Sequence, residues 1–84
     1  MGALADDTSG RAQAHRERRK AAHLHAAGVH DRAAGTHDDA AALYQRLGLD
    51  DMAAAERTKA AKERAGAEAD RAEAERVGTG DDVQ

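Results

Sequence analysis

Between His23 and Tyr44 the chain reads HLHAAGVHDRAAGTHDDAAALY, in which small and half-polar residues return every seven positions. His23, His30, His37 and Tyr44 form one column of this repeat, and Ala26, Ala33 and Ala40 form another. After the interruption RLGLDD, the segments MAAAERT, KAAKERA, GAEADRA and EAERVGT repeat with the same period. They place alanine at 53, 60, 67 and 74, acids at Glu56, Glu63 and Asp70, and arginine at Arg57, Arg64 and Arg71. A seven-residue period, unlike a free 3.6-residue drift, keeps one stripe of a helix turned toward a supercoiled partner. The pattern predicts one helix from about Arg11 to Leu47 and a second from Asp51 to about Arg76.

The interruption has the signals of a helix stop followed by a start. Gly48 suits the left-handed position after a helix end, Leu49 can fold back on Tyr44 as in a Schellman motif, and Asp50 can cap the next helix. So short a connection makes the helices antiparallel neighbours. The predicted fold class is therefore all-α: an antiparallel helical hairpin of two long helices with an Ala-rich, coiled-coil-like seam. In that seam Ala26, Ala33 and Ala40 pack against Ala53, Ala60 and Ala67. The alternative is a three-helix bundle with a break near Gly35, since GTHDDAA offers a glycine stop, a threonine cap and acids for a first turn. The heptad passes through Gly35 without a change of phase, which favours one long helix. In domain terms, residues 1–10 read as a flexible tail, 11–76 as a single helical hairpin domain and 77–84 as a flexible acidic tail.

Composition supports a thin architecture. The chain has 84 residues and is 40% hydrophobic, but alanine supplies most of that share and Phe, Trp, Pro and Cys are absent. Large apolar side chains in the periodic region are Leu24, Val29, Leu43, Tyr44, Leu47, Leu49, Met52 and Val77, too few for a thick core. Alanine gives up no side-chain entropy in a helix, so a chain rich in Ala, Arg and Glu reads as nearly all helical. The net charge of −3 and pI near 5.9 give no global attraction to nucleic acid or to an acidic membrane. The first residues lack the basic and apolar regions of a signal peptide, and no apolar run approaches the roughly 20 residues of a membrane span. The expectation is a cytoplasmic protein with no membrane partner.

Candidate chemistry is sparse. A helix brings ligands to one ion at spacings of three or four, whereas His23, His30 and His37 stand about 10.5 Å apart along an axis at each step. No metal and no cofactor is expected. Ser9 is the only serine and lies in the predicted tail, HRE at His15 departs from the H-E-x-x-H zinc motif, and GTGDDV follows a helix where a dinucleotide loop would precede one. The chain does not read as an enzyme. The basic run Arg16, Arg18, Arg19 and Lys20 is a candidate anion-binding site, either for phosphates or as a solvated helix face. The histidines read as an amphipathic flank of the seam. Because Glu56, Glu63 and Asp70 share their period, carboxylate and imidazole can meet at several levels of an antiparallel pair, which makes His23, His30 and His37 candidates for pH sensing.

The region from His37 to Ala60 resembles the turn of a tetratricopeptide repeat: Tyr44, Leu47, Gly48, Ala53 and Ala60 fall where that motif has its tyrosine, leucine, turn glycine and two small residues. It departs from the motif at Arg57, in the usual aromatic slot, at His37, where tryptophan is common, and in lacking a closing proline. The resemblance covers one unit and implies peptide or protein binding. The whole chain is also similar in composition to small Ala-, Arg- and Asp/Glu-rich helical proteins of high-GC actinobacteria, which implies no function. The expected function is a non-enzymatic helical protein–protein interaction or oligomerisation module, working as a homo-oligomer or with a helical protein partner. The alternative is a weak nucleic-acid or anionic-surface binder acting through the basic run 16–20.

Overall fold

The computed structural model describes residues 2–79, with side chains described from Thr8 onward. It consists of two helices, α1 (Gly2–Arg46) and α2 (Asp50–Thr79), with α2 packed antiparallel against the C-terminal part of the longer α1 as a hairpin. At 1.5 Å per residue, the 45 residues of α1 account for nearly all of a long axis of 71 Å. The cross-section of 19 × 11 Å is that of two helices side by side.

Helix α1 is continuous through Gly28 and Gly35, so the three-helix alternative does not hold. The reason is tertiary: the same face of α1 packs on α2 before and after Gly35, and that packing outweighs the roughly 1 kcal/mol by which glycine disfavours a helix interior. Two boundaries also differ from expectation. Residues 2–10, expected as a flexible tail, belong to α1; no proline interrupts them, and Ala3, Leu4 and Ala5 are good helix formers. At the other end α2 continues through Val77 to Thr79, because Val77 is completely buried against α1. The rest of the expected acidic tail, 80–84, lies outside the described residues.

The turn is a Schellman motif. The Leu49 amide donates to the Tyr44 carbonyl at 2.9 Å and the Gly48 amide to the Gln45 carbonyl at 3.1 Å, the two bonds that define this stop. Gly48 has φ 74°, and no other described residue has a positive φ. Asp50 is not the cap of α2. The first bond of α2 runs from the Ala53 amide to the Leu49 carbonyl at 3.0 Å, which leaves Asp50 and Asp51 in the first turn, where their charges oppose the positive end of the helix dipole.

The core is a seam of alanine methyls. Ala53, Ala60, Ala67 and Ala74 of α2 are buried as expected, but on α1 the buried column is Ala27, Ala34 and Ala41. The predicted Ala26, Ala33 and Ala40 are only half-buried, one position to the side. Alanine occupies both columns, so the local pattern alone is degenerate. The polar pairs flanking the seam decide the rotation of α1.

Candidate functional site

The column of acids on α2 meets the column of histidines on α1. His23 Nδ1 lies 3.0 Å from Asp70 Oδ1, His30 Nδ1 2.6 Å from Glu63 Oε2, and His37 Nδ1 2.6 Å from Glu56 Oε2. Each step of seven residues forward on α1 is matched by seven back on α2, so one antiparallel register satisfies all three pairs. His30 is held twice, since its Nε2 also lies 3.5 Å from Asp70 Oδ2. The imidazoles are half-exposed, at 29% to 38% of their full surface, so water reaches the edge of the ladder.

Gly66 completes the seat of His30. A Cβ at this position would stand 3.1 Å from His30 Nε2 and 3.2 Å from its Cδ2 and Cε1, so the ring lies flat against the bare backbone of α2. In sequence Gly66 is merely an unfavourable helix residue; its use emerges only when α1 is laid across it.

A second row runs along the opposite edge of the seam. Arg64 pairs with Asp38 and Arg71 with Asp31, and at the next step toward the turn Arg57 Nη2 donates to Gln45 Oε1 at 2.6 Å. These residues also keep the seven-residue period on both helices, a signal present in the sequence at Asp31, Asp38 and Gln45 that matches the arginine column of α2. The two rows explain the rotation of α1. With His23, His30 and His37 engaged on one side and Asp31, Asp38 and Gln45 on the other, only the Ala27, Ala34, Ala41 column lies between them.

The electrostatics follow from these partners. The Glu63 carboxylate, hydrogen-bonded to His30, raises the imidazole above its ordinary 6.5 against a smaller opposing effect of burial, with Asp70 and Asp31 adding to the rise. His37, and then Lys59, hold Glu56 below the ordinary glutamate value. Arg64 holds Asp38 below the ordinary aspartate value, and Asp38 raises Arg64 in turn.

The basic run is divided by the helix. Arg16 and Arg19 are half-buried while Arg18 and Lys20 are exposed, and Arg18 projects from a different side from Arg16 and Lys20. Arg16 and Lys20, with Gln13 and Glu17, line a shallow cleft of about 290 Å³ closed by Val77 and Gly78. A Cβ on Gly78 would lie 3.4 Å from Lys20 Nζ, so this ammonium sits beside the negative end of α2, where a cation is favourable. Arg16 and Lys20 thus stand at the open end of the hairpin, beside the last turn of α2.

Among the described residues no group of three or more histidine, cysteine or acidic side chains is placed to hold a metal. No described helix is long and apolar enough to cross a membrane. Comparison with known protein families, with curated proteins and with solved structures finds no match. The resemblance around Gly48 therefore rests on its own five residues.

Proposed function

We propose that this hairpin is a non-enzymatic helical interaction module of the cytoplasm that associates with a second copy of itself or with a helix of a protein partner. The observation that carries this reading is an inversion of the usual distribution of apolar side chains. Among the described residues the buried positions are alanine except for Val77, while Leu24, Val29, Leu43, Leu47, Leu49 and Met52 remain 42% to 62% exposed. Leu43, Leu47, Leu49 and Met52 fall within ten positions around the turn, so exposed apolar surface is concentrated at that end. Exposed apolar surface gathered in one region is characteristic of a surface that is covered by association.

Energetics points the same way. Apolar burial contributes about 25 cal/mol per Å², and alanine methyls offer little area to bury. A small all-helical unit with so thin a core gains from pairing hairpins into a four-helix arrangement that covers leucine and methionine from both sides. Sedimentation velocity and thermal melting over a wide concentration range test the reading. The expected result is a dimer or larger assembly whose Tm rises with protein concentration. A monomer of unchanged sedimentation coefficient and Tm, together with no helical partner recovered by cross-linking in cells, would overturn it.

A further inference from the structure

The other feature of this molecule without an assigned use is the row of three imidazoles against three carboxylates. We propose that this row is a proton-operated clasp, which holds α2 on α1 most firmly in mildly acidic solution and loosens the hairpin as the solution becomes alkaline. The proposal is independent of self-association and concerns the contact between the two helices of one chain.

The first argument is the contrast between the two edges of the seam. On one edge Arg64–Asp38 and Arg71–Asp31 pair groups that keep their charges throughout the physiological range, because a guanidinium does not lose its proton there. On the other edge the pairs His23–Asp70, His30–Glu63 and His37–Glu56 each contain a histidine, the side chain whose charge changes closest to neutral pH. One edge thus provides a constant attraction and the other a titrating one. Between them lie mainly alanines, so a change at the titrating edge meets little apolar resistance.

The second argument is the seat of His30. Its Nδ1 faces Glu63 at 2.6 Å and its Nε2 faces Asp70 at 3.5 Å. A neutral imidazole donates from one nitrogen only, whereas the imidazolium donates from both. Two carboxylates on opposite sides of one ring, over a glycine that leaves room for it, form a site suited to the charged form. Charged groups from both helices meet at the three pairs. Asp70 and Glu63 face His30 from α2, with Asp31 adding its charge from α1. Glu56 faces His37 and is shared with Lys59, and Asp70 faces His23. Asp31 is tied to Arg71 and Asp38 to Arg64, so the balance immediately around His30 is acidic.

The direction follows from linkage. His30 is raised above its ordinary 6.5, so its contribution is complete below that value and is lost as pH rises through the folded-state value. Glu56 is lowered from its ordinary 4.5, so its contribution is complete above that value and is lost as pH falls through the folded-state one. Both are present together between about pH 5 and pH 6.5, which is where the clasp is closed.

The test is thermal melting of the full chain at about pH 6 and about pH 8, at constant ionic strength and at a dilution where sedimentation reports one species. That dilution separates the clasp from any concentration-dependent assembly. The expected result is a Tm several degrees higher at the lower pH, abolished in a variant carrying His23→Gln, His30→Gln and His37→Gln. The Glu63→Gln single variant, which keeps all three histidines, should lose part of the difference and so serves if the triple variant does not fold. In parallel, labels on Ala22→Cys and Ala72→Cys, both exposed in a chain without native cysteine, should report a wider distance distribution at the higher pH. Equal Tm values at the two pH values, a higher Tm at pH 8, or a pH dependence that survives unchanged in both variants would overturn the clasp.

Discussion

The imidazole of His30 rests on the backbone of Gly66, so close that a Cβ on the glycine would lie 3.1 Å from the ring nitrogen Nε2. This contact separates two glycines that look alike in sequence. At Gly35 a Cβ would meet nothing within 4 Å, so Gly35→Ala should stabilise the hairpin by about 0.5–1 kcal/mol through helix propensity alone. Gly66→Ala gains the same propensity but displaces the ring, and its net effect should be neutral or destabilising. Chemical denaturation of the two variants checks the contrast, and equal stabilisation by both would show that His30 does not occupy this seat.

Rotation of α1 is testable at neighbouring alanines. Ala34 is buried to 1% exposure, whereas Ala33 is half-buried. Ala34→Leu should drive the helices apart at a cost of about 1–3 kcal/mol, the usual range for overpacking a filled site. Ala33→Leu, at the margin, should cost clearly less. The reverse order in denaturant melts would place the seam on the Ala26, Ala33, Ala40 column instead.

Gly48 adopts φ 74°, where a residue with a branched Cβ is strained by roughly 1–2 kcal/mol. Gly48→Val should therefore lower stability by at least about 1 kcal/mol. Circular dichroism melts provide the measurement; an unchanged midpoint would mean that the turn tolerates another geometry.

Val77 is fully buried in the last turn of α2. Removing two methyl groups from such a position at about 0.8 kcal/mol per group gives an expected loss of roughly 1.5 kcal/mol for Val77→Ala. A shortened chain ending at Arg76 should lose at least as much. If neither change moves the melting curve, the hairpin closes before Val77 and the burial of this side chain contributes nothing.

NMR titration of His30 should give a value above 6.5, because Glu63 accepts its hydrogen bond and Asp70 and Asp31 add negative charge. Glu63→Gln should move it back downward. A value below 6.5 in the parent chain would mean that burial outweighs the carboxylates, with the linkage reversed so that acidification opens the hairpin.

Sequence alone determined the elements and their direction. Seven-residue spacing, absence of proline, and the run Tyr44 to Asp50 with a single glycine at the stop are local properties, and helix propensity and the Schellman turn depend on local backbone geometry. The matching periods of His23, His30 and His37 with Glu56, Glu63 and Asp70 also made the histidine–carboxylate row legible, since an antiparallel register that satisfies one pair satisfies the rest. Tertiary structure alone decided which alanine column faces inward, because Ala26 and Ala27, Ala33 and Ala34, and Ala40 and Ala41 are chemically identical neighbours. Their difference arises only when polar pairs form on both edges of the seam and set the rotation of α1. It also decided the helix ends: residues 77–79 remain helical where Val77 is buried at the open end of the hairpin, beside Arg16 and Lys20 of α1, a gain no local pattern records. Gly66 is the clearest case, for a missing side chain has no meaning until the ring that lies against it has been placed there by the fold.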